Sequence, residues 1–234
     1  MKLSKSILVI SDYHAPYNHP DAANFLRACA LKYKPDTVVC IGDEVDNHAM
    51  SFHDHDADLP SAGDELVQAI KALQPLYKMF PNCIVVDSNH GSMVGRKRLA
   101  HGMPSAVIKP YRDILQAPKG WSWVEDITLF TPMGKVYFHH SKGINAKKNS
   151  QSMGCSFVQG HHHEQFELSY WSNPDALLFG MTVGCLVDRK SLALAYAKNN
   201  LKRQIIGCAT IINGKPDLIP MLLNKTGRWT GKLL

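Results

Sequence analysis

Residues 5–10, 37–41 and 83–86 are short apolar runs, each closed by polar residues, and the stretches between them carry apolar residues at helical spacing. Over 21–34 the stripe is Ala22, Ala23, Phe25, Leu26, Cys29 and Ala30; over 63–80 it is Leu66, Val67, Ile70, Leu73, Leu76 and Tyr77. Strands alternating with amphipathic helices are the pattern of parallel βαβ units, whose sheet must be covered by helices. A further helical region is expected over 93–101 and 105–115, broken around Gly102 and Pro104. From about residue 121 the texture changes to short β-type runs at 122–130, 135–140, 156–159, 166–170, 177–183 and 205–213, the last ending in an Asn213-Gly214 hairpin signal. The pattern predicts one α/β domain over residues 1–223, with two mixed sheets face to face and helices outside. Residues 189–200 read as a short helix or an extended arm, and 224–234 as a polar, basic, loosely held C-terminal tail.

Composition narrows the class. With 45% hydrophobic and 20% charged residues the chain can build a core, which excludes disorder and collagen. No apolar run approaches the ~18–20 residues of a membrane span, and the apolar run at 7–10 is too short for a signal peptide, so no membrane partner is expected. The six cysteines are scattered without a CxxC pair, which argues against a zinc ribbon or disulfide scaffold and fits a reducing cytoplasm. Charge is uneven: residues 1–95 hold 7 Lys/Arg against 12 Asp/Glu, or −5, while 96–234 hold 19 against 8, or +11. An acidic half can attract cations and a basic half phosphates.

The 12 histidines are not scattered at random. The first strand delivers Asp12-Tyr13-His14, the second Gly42-Asp43-Glu44-Val45-Asp46 and the third Ser88-Asn89-His90-Gly91; later runs deliver His139-His140-Ser141 and Gly160-His161-His162-His163. In a parallel α/β sheet the carboxyl ends of adjacent strands open on one crevice. Carboxylates, imidazoles and one amide then converge as a mixed nitrogen and oxygen ligand set, suited to Mn, Fe, Zn, Co or Ni rather than calcium. His139 and His140 point to opposite faces of their strand, so only one of the two reaches that crevice.

These five motifs, in this order, resemble those of the calcineurin-like metallophosphoesterase superfamily: DxH, GDxxD, GNHE/D, a lone His after a strand, and GHxH. The resemblance spans residues 7–163. It implies a four-layered α/β sandwich holding two divalent metal ions, manganese first among them. Asp12, His14, Asp43 and His163 would hold one ion, and Asp43 would bridge to a second held by Asn89, His140 and His161. His140 is favoured over His139 because a small residue, Ser141, follows it, leaving His139 beside or behind the site. His90 would stand by the phosphate as general acid, and Asp46 would orient a ligand from behind. The implied reaction is hydrolysis of a phosphomonoester or phosphodiester by in-line attack of a metal-bridging hydroxide.

Two departures stand out. The third motif has Ser88 where the family usually has Gly, and Gly91 where an acidic residue usually orients the His. Asn47 occupies the place of the Arg that grips phosphate in protein phosphatases, which points to the branch of nucleases, phosphodiesterases and small-molecule phosphatases. The basic second half fits a nucleotide or nucleic-acid substrate, with Arg96 and Lys142 as candidate phosphate contacts. The length and the opening motif suggest a small bacterial or phage enzyme. The alternatives are a nuclease of the double-strand-break-repair type and a non-catalytic scaffold like the retromer subunit, which keeps this fold but has lost key site residues. The run 48–58, rich in His and Asp, reads as a solvated acidic loop.

Overall fold

A computed structural model describes residues 3–51, 58–191 and 203–233. The chain opens with β1 (Ser6–Ile10), α1 (Ala22–Tyr33), β2 (Thr37–Cys40), a 3₁₀ turn at His48–Met50, α2 (Ala62–Met79) and β3 (Asn82–Val86). It continues with α3 (Met93–Ala100), a 3₁₀ turn at Ser105–Val107, α4 (Tyr111–Ile114) and β4 (Gly120–Val124). Then follow β5 (Ile127–Thr131), β6 (Gly134–Phe138), α5 (Ala146–Met153), β7 (Ser156–Gln159), β8 (Glu167–Ser172), β9 (Leu177–Thr182), β10 (Gly207–Ile212) and β11 (Lys215–Pro220).

Two mixed sheets form. The first has the order β11-β10-β1-β2-β3-β4, with β1 to β4 parallel and the β10–β11 hairpin antiparallel. The second has the order β5-β6-β7-β9-β8, parallel at its centre and antiparallel at both edges. The alternation of β1 shows why there are four layers. Ile7 and Val9 face the second sheet, packing with Val136, Phe138, Val158 and Met181. Leu8 and Ile10 face the other way, onto Phe25 and Leu26 of α1 and Leu73 and Leu76 of α2. The far side of the second sheet is covered by α5, where Ala146 packs on Tyr137 and Phe157. Both outer layers are therefore helical, and the sandwich predicted from the sequence is the observed one.

Three local expectations change. The run 122–130 is not one strand: the chain leaves the first sheet at Val124, turns at Glu125 and Asp126, and enters the second as β5. Two acidic residues mark that crossing, and Asp126 accepts a hydrogen bond from the Tyr137 hydroxyl at 2.8 Å. The helix expected over 105–115 shrinks to a 3₁₀ turn and the single turn of α4, because Pro110 stands between them. The closing segment is held rather than loose. Arg228 Nε donates to Asp21 at 2.7 Å, the Trp229 amide to the same carboxylate at 3.0 Å, and the Trp229 ring meets Phe25 edge-on at 5.7 Å. The Asn213-Gly214 hairpin turn is as expected, with both residues at positive φ, 51° and 89°. Most of the 48–58 run (residues 52–57), and residues 192–200 of the 189–200 segment, lie outside the described residues. No helix among the described residues is long and apolar enough to cross a membrane.

Candidate metal centre

The parallel strands β1, β2 and β3 end side by side, and the loops beyond them keep pairing. The His14 amide donates to the Asp43 carbonyl at 2.8 Å and the Ala15 amide to Glu44 at 3.0 Å. These loops turn sharply. Asp12, His14, Asp43 and His161 all sit at positive φ, between 49° and 68°, where L residues other than glycine are strained. That backbone swings each side chain over the sheet's edge into one cluster.

The chain crossing from the second sheet closes the cluster. A Cβ at Gly160 would lie 2.1 Å from Ser11 Oγ and 2.4 Å from Asp12 Oδ2, so only glycine lets the two loops approach. The His161 amide then donates to both Asp12 carboxylate oxygens, at 3.1 and 3.0 Å. Three overlapping groups result: Asp12, His14 and His163; His14, Asp43 and His90; Asp43, His140 and His161. Asp43 Oδ2 lies 3.6 Å from His14 Nε2 and 3.3 Å from His140 Nε2, between the two ends of the cluster. His163 Nε2 is 3.1 Å from Asp12 Oδ1, and Asn89 Oδ1 is 2.8 Å from His140 Nε2. All seven residues expected as ligands meet here.

The chemistry of this donor set fits cations. His140 Nδ1 donates to the Ile41 carbonyl at 2.7 Å, so Nε2 carries the lone pair of the neutral ring. Around that nitrogen stand Asn89 Oδ1, Asp43 Oδ2 and His161 Nδ1, the last at 3.2 Å. His14 likewise donates Nδ1 to Asp46 Oδ2 at 2.9 Å, and its Nε2 faces His163 Nε2 at 3.2 Å. Lone pairs crowd together at both ends, and only a cation reconciles them, either a proton or a metal ion. Without a metal the proton serves. Burial opposes charge on His140, but the Asp43 carboxylate beside it outweighs burial and holds its pKa up to about 9. For His14, too, burial is overcome, by Asp12, Asp46 and Asp43, and its pKa lies well above the usual histidine value. Burial alone would raise Asp12 and Asp43, yet the surrounding imidazoles hold both well below the ordinary carboxylate range.

The residues behind the cluster explain both departures in the third motif. Ser88 Oγ accepts from the Asp43 amide at 2.9 Å and the Gly91 amide at 3.0 Å. A Cβ at residue 91 would meet that oxygen at 2.9 Å. Ser88 and Gly91 are thus one change: the serine ties down Asp43, and glycine makes room for it. His90 is oriented instead by the backbone carbonyl of Asp46, to which Nδ1 donates. Asn47, in the place of the phosphate-gripping arginine, donates to the His90 carbonyl at 2.9 Å and braces the loop. Glu65 of α2, fully buried, accepts from the His48 and Ala49 amides, both at 2.7 Å, and pins the turn that follows. Ser88, Asn47 and Glu65 had no assigned role in the sequence. The signal for Ser88 was Gly91 itself, since a missing acidic partner implies another way of fixing the loop.

Other expected residues fall outside the cluster. His139 points to the opposite face, stacked at 6.3 Å on Tyr137 and accepting from the Ser141 amide. The Lys142 ammonium lies 5.8 Å from the Tyr137 ring centre, on that same outer face. Arg96 is on the exposed part of α3. Asp46 is where it was expected, behind His14. Since a carboxylate that orients a ligating histidine is worth about 10–100-fold in metal affinity or activity, Asp46→Ala is expected to weaken the affinity for added divalent metal by that factor in a calorimetric titration, if His14 ligates. Unchanged affinity would remove Asp46 from the site.

Comparison with known proteins agrees with this architecture. Among solved structures, vacuolar protein sorting 29 from Cryptosporidium parvum is 14% identical, with a TM-score of 0.51 over 100% of this chain and 96% of that one. The E. coli phosphoesterase Yfce is 10% identical, with a TM-score of 0.48 over 98% of each chain. At 14% identity the first likeness speaks for the fold alone, and nothing is drawn from the second. No curated protein sequence matches the chain. The family described as calcineurin-like phosphoesterase matches residues 5–182, from the start of β1 to the end of β9, an interval that contains every residue of the cluster. The chain belongs to the calcineurin-like phosphoesterase family.

Proposed function

We propose that the protein is a two-metal phosphoesterase that hydrolyses a phosphomonoester or phosphodiester of a nucleotide or nucleic acid, with manganese as the first candidate metal. The observation that carries this reading is the position of Asp43, one carboxylate oxygen set between His14 Nε2 and His140 Nε2. Asp12, His14, Asp43 and His163 would hold one ion, and Asp43, Asn89, His140 and His161 the other. Two bound divalent cations supply Lewis-acid charge to a phosphoryl centre and make water a nucleophile at neutral pH. The chain's own part is orientation and proton transfer. His14 and His140 are held in fixed tautomers by Asp46 and Ile41. His90, tied through Nδ1 to the Asp46 carbonyl, keeps Nε2 for the substrate and donates a proton to the departing oxygen. The setting proposed is the cytoplasm of a bacterium or a phage-infected host; the free cysteines fit a reducing compartment, and only the length and the opening motif suggest the host.

The test is hydrolysis of bis-p-nitrophenyl phosphate and p-nitrophenyl phosphate with Mn²⁺, alongside the metal content of the purified protein. Two metals per chain and turnover of at least one ester are expected. Metal loading with neither ester cleaved would favour a non-catalytic scaffold on this fold. Metal binding must also displace the His140 proton, which is held below about pH 9. Manganese affinity is therefore expected to rise with pH up to that point, by up to about tenfold per unit for each proton released. A flat profile between pH 7 and 9 would remove His140 from the ligand set.

A further inference from the structure

Between Asp87 and Asp113 the chain has no carboxylate, yet it carries Arg96, Lys97, Arg98, Lys109 and Arg112. This stretch leaves the metal centre directly after Asn89 and His90 and comes back to it. At its start α3 packs against the 3₁₀ turn at His48–Met50. At its end the Tyr111 hydroxyl is 3.5 Å from Asn47 Nδ2, the same amide that braces His90, and the Tyr111 ring meets Trp123 edge-on at 5.7 Å. Between these anchors residues 99–107 are exposed without interruption, Leu99, Met103 and Val107 among them. A cationic arm is thus rooted at both ends on the rim of the centre.

We propose that this arm, residues 93–112, binds the backbone of a single-stranded polynucleotide and leads one of its phosphates to Asp43 and His90. Two observations choose that ligand. Arg96, Lys97, Arg98 and Lys109 lie on a stretch that has no carboxylate of its own, with Arg112 at its end paired to Asp113 at 3.5 Å; beside a phosphoesterase centre such a stretch complements a repeating phosphate chain, and the net −5 of residues 1–95 steers a polyanion toward the arm and away from that half. The guanidinium planes of Arg96 and Arg98 are faces on which unstacked bases can lie, with exposed Leu99, Met103 and Val107 beside them for apolar contact, while a duplex keeps its bases to itself. The proposal rests on the phosphoesterase reading for the fate of the strand but not for its capture.

Capture is therefore measured without metal, by the fluorescence anisotropy of labelled oligodeoxythymidylate in EDTA across a sodium chloride series. The wild-type protein is expected to bind. Arg96→Gln, Lys97→Gln and Lys109→Gln together should weaken binding at least tenfold at the low-salt end. They should also make the salt slope shallower by about 2, since each single-strand phosphate contact contributes about 0.7. Duplex DNA and poly-glutamate should compete less well than the single strand. The same strand should protect Lys97 and Lys109 of the wild-type chain from acetylation while leaving Lys71 and Lys78 of α2 reactive, a readout that needs no variant to fold. No binding at low salt, an unchanged slope in the triple variant, equal competition by duplex or poly-glutamate, or no protection would each overturn the arm. Loss of ester hydrolysis with binding intact would instead count against the metal centre.

Discussion

Asp43→Asn is expected to take the purified protein from two bound metals to at most one and to lower phosphodiester turnover by at least about 10³-fold, the scale of the several kcal/mol that metal-centred charge stabilisation supplies. The reason lies in what surrounds the side chain. Asp43 Oδ2 faces His14 on one side and His140 on the other, and Oδ1 accepts from the His90 amide at 3.1 Å. Asparagine keeps a similar volume and can keep the bond from His90, so the loop should remain folded. It loses the charge that lets two cations lie close together. It also loses part of what holds the His140 pKa up, so the metal-free variant should show a lower histidine pKa by NMR titration. Two metals retained with full turnover would mean that the centre is built elsewhere.

His90→Ala should behave differently. Kcat is expected to fall by about 10²–10⁴-fold, the usual worth of a positioned proton donor, while metal content stays at the wild-type level. His90 belongs to the same cluster as His14 and Asp43, so the alternative is that it ligates directly. The donor bond from Nδ1 to the Asp46 carbonyl favours the first role, because it spends one ring nitrogen on orientation and keeps the other for the substrate. Metal analysis separates the two: a variant that loses an ion along with its activity makes His90 a ligand. A leaving-group series gives a further check, since esters of acidic phenols need little protonation and should be the least affected.

The fold and the motifs that meet in the cluster were legible because both are written in local pattern, while the assignment of seven residues as ligands came from the family resemblance. Apolar runs such as 37–41 must be strands buried on both faces, and a polar residue directly after such a run must stand at the sheet's edge. Strand parity said that only one of His139 and His140 reaches the crevice, and the small residue Ser141, as in the family, pointed to His140; the outer position of His139 against Tyr137 fits both. What was not legible is what depends on contacts distant in sequence. Residues 122–130 look continuous as β-type sequence, and nothing local says that the two halves belong to different sheets. The closing segment is polar, and its attachment through Arg228 and Trp229 depends on Asp21, more than two hundred residues earlier. Lys142 and Arg96 had only charge to recommend them. The structure places one against an aromatic ring and the other on the arm. The role of the Asp46 carbonyl could not be read from side-chain identity, because the group that orients His90 is backbone.

The left-handed backbone at Asp12, His14, Asp43 and His161 has a bearing on the stability of the chain. Each such residue costs about 1–2 kcal/mol relative to a relaxed conformation, against a total stability of about 5–15 kcal/mol for an ordinary domain. Glycine at any of the four positions would release most of that cost. Release of that strain is set against the loss of a buried partner, since Asp12 and Asp43 hold the charge of His14 and His140, so strain and charge pairing are bound together at these positions. The chain carries two aspartates and two histidines at these places. A chain that keeps such backbone at four neighbouring positions spends stability on aiming these side chains at one point.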